Sequence, residues 1–169
     1  MWEHDYQTYN DDPRRDIIYQ AALAELEPGS RVLDVGGGCS KFAPMALDAG
    51  HKPLVVDCSD WAIQHLEPGI PGVCLDVQKW NGESLGEFEA AVCLGVLEHL
   101  EDDSTALAMM AAHAPLGIVM VPNNHLGPAV WGHLRCYTVG SLTELMSAFY
   151  TDVDVRIIRQ YLFAVGEIM

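Results

Sequence analysis

Ten residues do most to limit what this chain folds into: Arg31-Val-Leu-Asp-Val-Gly-Gly-Gly-Cys-Ser40. A β-branched, apolar run ends in an acid and three glycines, so a buried strand stops in a turn whose backbone is bare of side chains. Helical spacing resumes at Phe42, which sets a helix N-terminus, with its free N–H groups and positive dipole end, beside that turn. A purely structural role for three successive glycines is disfavoured, because each costs roughly 1 kcal/mol in chain entropy unless something approaches it closely. The dinucleotide fingerprint G-x-G-x-x-G is half met: Gly36 and Gly38 fit, but Lys41 stands at the third glycine. A P-loop is excluded, since no Gly-Lys-Ser/Thr follows the glycines. Asp34, two positions before Gly36, suits instead a ligand with a cationic group near the strand end.

The rest of the chain repeats this strand-then-helix rhythm. Short runs bounded by Gly, Pro or Asp predict buried parallel strands at Arg31–Val35, Pro53–Asp57, Gly72–Asp76, Ala90–Leu94 and Ile118–Val121. Between them lie helical stretches: an apolar stripe through Ile17, Ala21 and Ala24, then Phe42 to Ala49, then Trp61–Leu66 behind a Ser59 cap, then Ser104 to His113. Near the end, Ser141 to Glu144 reads as a capping box opening an amphipathic helix, and Val153–Ile157 with Tyr161–Val165 reads as a hairpin. The expected fold is α/β and doubly wound, with a mostly parallel sheet, helices on both faces and an antiparallel C-terminal hairpin. With 169 residues and no internal linker, positions 1–169 are expected to form a single domain that opens with a helical segment over 1–30.

Charge narrows the partners. Nine Lys+Arg against 24 Asp+Glu give a net charge of −15, a field that repels phosphate backbones and anionic lipid. Nucleic acid is therefore an unfavoured partner, and no apolar run approaches the ~20 residues of a membrane-crossing helix. The first twenty residues carry five acids and no apolar stretch of the signal-peptide kind. Cys39, Cys58, Cys74, Cys93 and Cys136 show no CxxC or zinc spacing, so reduced thiols in a cytoplasmic protein are expected.

Four segments in order carry a family resemblance. The glycine-rich segment resembles motif I of the class I S-adenosylmethionine (SAM)-dependent methyltransferases, with Ser40 at the third glycine. Leu54–Ile63 is similar to the family's second strand, and Asp57 lies 21 residues past Gly36, near the ~20 typical of a ribose-binding acid. Cys74-Leu-Asp76-Val77 resembles the third-strand segment that meets the adenine, and Phe88–Leu100 resembles the fourth-strand motif. Gly132–Thr138 is similar to the segment after strand five in many small-molecule and RNA-terminal members. The resemblance implies a Rossmann-like fold, SAM as cofactor, and a cofactor site of Asp34, Gly36, Gly37, Gly38, Asp57, Cys58, Asp76, Val77 and Leu94.

A sulfonium methyl is already activated, so the protein mainly has to align an acceptor, with a base where the acceptor is protonated. His99, His125 and His133 are expected at the carboxyl edge of the sheet, and His99 and His133 are the catalytic candidates. The strand-four motif lacks the Asn/Asp-Pro-Pro-Tyr/Phe of adenine and glutamine methylation, which argues against those substrates. Some O-methyltransferases hold a divalent cation with Glu-x-x-Glu-His and a further His; here Gly95 stands at the first Glu, so no metal is expected. The function implied is methyl transfer from SAM to an O, N or C atom of a small molecule, with residues 123–138 as an acceptor-side lid that orders His133 and Tyr137. Two other readings stay open: an RNA-terminal methyltransferase, and a non-catalytic activating subunit, which brings a protein partner or a homodimer into view.

Overall fold

The computed structural model describes residues 13–123 and 132–168. Helix α1 (Pro13–Ala24) leads into β1 (Arg31–Val35), α2 (Phe42–Asp48), β2 (Lys52–Asp57), α3 (Asp60–Gln64) and β3 (Gly72–Cys74). The chain then crosses the sheet to β4 (Ala90–Leu94), α4 (Asp103–His113) and β5 (Leu116–Pro122), and closes with α5 (Val139–Ser147), β6 (Asp152–Ile158) and β7 (Tyr161–Glu167). All seven strands join one sheet in the order β3-β2-β1-β4-β5-β7-β6. Strands β1 to β5 are parallel, and β7 runs antiparallel to both its neighbours. β1 pairs with both β2 and β4, so the winding reverses there, and in such sheets the crevice at the strands' carboxyl ends is where ligands bind.

The two faces follow from alternation along the strands. Leu33, Ala91, Cys93, Val119 and Leu162 pack against Leu107 and Met110 of α4 and Leu142 and Met146 of α5. Their neighbours Val32, Val92, Ile118, Met120 and Phe163 pack on the opposite side, against Ile18, Tyr19 and Ala22 of α1 and Phe42 and Ala46 of α2. β4 is buried at every position, as its unbroken Ala-Ala-Val-Cys-Leu requires.

Two local expectations need correction. The third strand stops at Cys74, because Asp76 turns its side chain to accept the Gln78 N–H and caps a one-turn 3-10 helix over Val77–Lys79. The capping box of α5 is formed by Thr138 with Ser141, so the helix opens at Val139; Thr138 reaches the Ser141 N–H at 3.1 Å and the Ser141 hydroxyl answers at 2.9 Å. The terminal hairpin is antiparallel and at the sheet edge as expected; its second strand, β7, inserts beside β5 and leaves β6 outermost. Burial decides this: β7 is the apolar Tyr-Leu-Phe-Ala-Val, while β6 alternates with Asp152, Asp154 and Arg156 facing out.

Candidate functional site

A cavity of about 330 Å³ opens at the carboxyl ends of β1, β2 and β4. Of the residues expected to bind cofactor, Asp34, Gly36, Gly37, Asp57, Cys58, Asp76, Val77 and Leu94 line it. Gly38 stands outside the lining, but its N–H is bonded to the Asp57 carboxylate. Gly36 (φ +70) holds a left-handed turn, and a Cβ there would meet Val96 at 2.6 Å. A Cβ on Gly37 would collide with the Asp34 carboxylate, so the bare backbone is what leaves that acid room.

Three acids ring the cavity in three different states. Asp34 is 2% exposed, and its Oδ2 has no hydrogen-bond partner. Burial, and then the charge of Asp57, push its carboxyl up to about 7. Asp57 is also raised by burial, but the Ser59 N–H at 2.8 Å and the Gly38 N–H hold it back. Asp76 is lowered, chiefly by the Lys79 ammonium 2.9 Å away. Burial and Asp57 raise the Cys58 thiol above the ordinary range.

The other end of the cavity is built by the turn Leu97–His99. His99 lines the cavity as expected, and its Nδ1 lies 3.0 Å from the Gly132 carbonyl. A carbonyl only accepts, so Nδ1 carries the hydrogen and Nε2 is bare. His133 does not line the cavity; its ring stands edge-on to His99 with centroids 4.8 Å apart. Burial, with His99 and Arg15 nearby, lowers His133, and its Nδ1 is buried without a hydrogen-bond partner.

Glu98 was outside the expected site. It is 3% exposed, with Oε1 4.0 Å from His99 Nε2 and no partner for Oε2. Burial pushes its carboxyl up to about 7, against the pull of its own backbone N–H and of Arg15. Ser40, Ser59, Leu75, Gln78, Gly95, Val96 and Leu100, none of them among the expected cofactor residues, also line the cavity. Gln78 carried no motif signal; its side-chain oxygen accepts the Glu101 and Asp102 N–H groups and ties the Val77–Lys79 turn to the start of α4.

Glu98, His99 and His133 present donor atoms all within 4.8 Å of one another, a spacing a cation could use. Gly95 withholds a second carboxylate, and the Arg15 charge acting on Glu98 and His133 opposes a divalent ion.

Of the expected lid, residues 124–131, including His125, lie outside the described residues. The remainder is fastened. Leu134 N–H bonds Glu98 O, Arg135 pairs with Asp103 and the Glu101 carbonyl, and the buried Tyr137 donates its hydroxyl to Asp103 at 2.7 Å. The Tyr137 hydroxyl thus points to the start of α4.

Known proteins agree with this frame. No curated protein sequence matches the chain. The 1,6-didemethyltoxoflavin-N1-methyltransferase of Burkholderia thailandensis, solved with 1,6-didemethyltoxoflavin and S-adenosylhomocysteine, is 24% identical over 99% of this chain and 84% of its own, with a TM-score of 0.76. A TehB-like SAM-dependent methyltransferase from Corynebacterium glutamicum is 18% identical over 98% and 99%, with a TM-score of 0.72. The N-terminal domain of EvdMO1, solved with S-adenosylhomocysteine, is 17% identical over 98% and 85%, with a TM-score of 0.71. At these identities the likeness is one of fold. Among the described residues no helix is long and apolar enough to cross a membrane. The family profile described as "Methyltransferase domain" matches residues 2–149, and the chain belongs to that family.

Proposed function

We propose that this protein transfers a methyl group from SAM to an oxygen, nitrogen or carbon atom of a small-molecule acceptor. The observation that carries the reading is the buried Asp34 oxygen without a partner, held beside Asp57 in a cavity at the point where the sheet reverses. A buried acid with a spare acceptor and a raised carboxyl fits a cationic ligand group, whose charge would draw the proton off and repay the desolvation. When bound, the cofactor supplies a methyl already activated as a sulfonium.

The chain does the rest by holding and excluding. Asp34 takes the cationic amino end, and the backbone of Gly36, Gly37 and Gly38 gives the room for it. Asp57 accepts from the ribose hydroxyls; its two backbone partners fix its orientation. Asp76 and Val77 flank the base, and Leu94 closes the apolar wall towards the acceptor side. His99 stands at that end as the candidate catalytic residue, with the His133 ring edge-on behind it. The net charge of −15 supports a small acceptor over RNA, and the Burkholderia neighbour was solved with a small heterocycle in place. Five free cysteines fit a reducing, cytoplasmic setting.

Calorimetric titration with S-adenosylhomocysteine tests the cofactor site, with binding in a one-to-one ratio expected. Absence of binding would sink the reading. Slow release of S-adenosylhomocysteine from SAM in the presence of candidate acceptors separates an enzyme from a non-catalytic subunit.

A further inference from the structure

We propose that Glu98 and His99 form a proton-accepting pair, with His99 Nε2 as the base and Glu98 as its counter-charge, and that the acceptor atom is a hydroxyl oxygen. The inference rests on the methyl-transfer reading and names its substrate class. It begins with the tautomer. The Gly132 carbonyl at 3.0 Å commits Nδ1 to carry the hydrogen, so the lone pair of a neutral His99 is on Nε2. His99 lines the cavity, and its ring is held from three sides: by the Gly132 carbonyl, by the edge-on ring of His133, and by the turn it belongs to, which the Leu134 N–H pins through the Glu98 carbonyl at 2.8 Å. A base oriented through its far nitrogen, with the near nitrogen free, is the arrangement general-base catalysis requires.

Glu98 supplies the second half. Its Oε1 is 4.0 Å from His99 Nε2, and its Oε2 is buried without a hydrogen-bond partner. A carboxyl left half-satisfied in the interior costs stability and calls for a partner that the surrounding packing does not supply. An imidazolium formed at Nε2 would provide one, as a charge 4.0 Å away. The other groups that act on this pair are accounted for. Arg15 adds one fixed positive charge beside Glu98 and His133, the Tyr137 hydroxyl is taken by Asp103, and burial keeps the Cys93 thiol neutral.

The chemistry then selects the acceptor. An amine already neutral at working pH, such as aniline, attacks a sulfonium methyl with its own lone pair and needs no base to do so. A hydroxyl oxygen does need one, because its protonated ether product is strongly acidic and the proton has to leave as the bond forms. The balanced step follows. The acceptor oxygen forms the new C–O bond as the methyl–sulfur bond breaks, that electron pair returns to sulfur as a thioether, and the hydroxyl proton passes to His99 Nε2. From there it goes to Glu98 or to water.

The test uses nitrogen-15-histidine-labelled protein bound to S-adenosylhomocysteine. His99 is expected as the Nδ1–H tautomer; the Nε2–H tautomer overturns the proposal whatever the acceptor is. In a second arm, catechol and a methyl glucoside serve as hydroxyl probes and aniline as the amine probe, with release of S-adenosylhomocysteine as the readout. A hydroxyl probe is expected to turn over. His99→Ala should lose about a hundredfold and recover with added imidazole. Glu98→Gln should lose about tenfold while binding S-adenosylhomocysteine as the wild type does. Turnover of aniline alone or of no probe, His99→Ala at full rate, or failure of imidazole to restore it overturns the proposal. So does turnover that chelation abolishes and Mg²⁺ or Mn²⁺ alone restores, since the histidines would then be ligands. If the wild type binds S-adenosylhomocysteine and any of these follows, only this inference falls; if it does not bind, the methyl-transfer reading falls first.

Discussion

The two ends of the cavity are made in different ways. At the end formed by β1, β2 and β3, Asp57 and Asp76 sit at or just past a strand end and take most of their partners from sequence neighbours, Ser59 for Asp57 and Gln78 and Lys79 for Asp76, with the Gly38 N–H as the one more distant partner of Asp57. At the end formed by the turn after β4, the contacts reach across the chain: His99 to Gly132, Arg135 to Glu101, Tyr137 to Asp103, each 33 or 34 residues apart. Local geometry leaves a spacing signature in a sequence; long-range geometry leaves none. The first end is also acidic and prepared for a cation, while the second carries imidazoles and a buried carboxyl suited to moving a proton.

The comparison can be broken most forcefully at Asp57. Asp57→Ala should cut affinity for S-adenosylhomocysteine by about ten- to a hundredfold, the loss of charge-assisted bonds worth on the order of 1.5–3 kcal/mol. Calorimetry checks it. Hydrogen bonding at the acceptor end, read by the His99 tautomer, should be unaffected, and a change there would show that the two ends are not independent.

Next comes pH. The carboxyl of Asp34 is raised to about 7, above its unfolded value, so its neutral form is the one the empty protein prefers. The stability this gives is full below about 4 and is lost as pH climbs through about 7; the empty protein should therefore melt lower at pH 8 than at pH 6. A cationic ligand reverses the preference. Affinity for SAM should rise with pH up to about 7, by as much as about tenfold per unit, and level off above it. Asp34→Asn should flatten both curves; a wild-type slope in that variant would reassign the titration.

A smaller effect is expected at the far end. Asp103→Ala leaves the Tyr137 hydroxyl and the Arg135 guanidinium without their shared partner, at a cost of about 1–3 kcal/mol in stability. Amide exchange over 132–138 should speed up while cofactor affinity stays within about twofold, about 0.4 kcal/mol. If exchange in 132–138 is already fast in the wild type compared with the central strands, the fastening described above is not what holds this segment. The smallest effect is none: exhaustive chelation should leave turnover unchanged, because Gly95 offers no second carboxylate and Arg15 opposes a divalent ion. Activity restored only by added metal would reverse that expectation.

Much of this protein is legible without coordinates. The strand Arg31–Val35 with its glycine turn, the acid 21 residues beyond Gly36, and the unbroken apolar run of β4 each follow from a few adjacent residues, because strand burial and turn conformation are local demands. Those demands determined the doubly wound sheet and the cofactor-side residues. Which hairpin strand lies inside was also present in the sequence, in the contrast between Tyr161–Val165 and the alternating charges of β6, but pairing strands requires comparing them for burial, which periodicity alone does not do. Thr138 and Ser141 satisfy the first helical N–H groups of α5 as well as Ser141 and Glu144 would have, and only the bridge of Asn123 with Tyr137 and the anchoring of Tyr137 on Asp103 decide where the helix starts. Tertiary structure alone decided Glu98. Nothing in Leu-Glu-His distinguishes a solvated acid from a buried one; it takes β4, α4 and the segment after Gly132 packing around it to strip its water away, raise its carboxyl and set it 4.0 Å from an imidazole whose hydrogen another carbonyl has already placed.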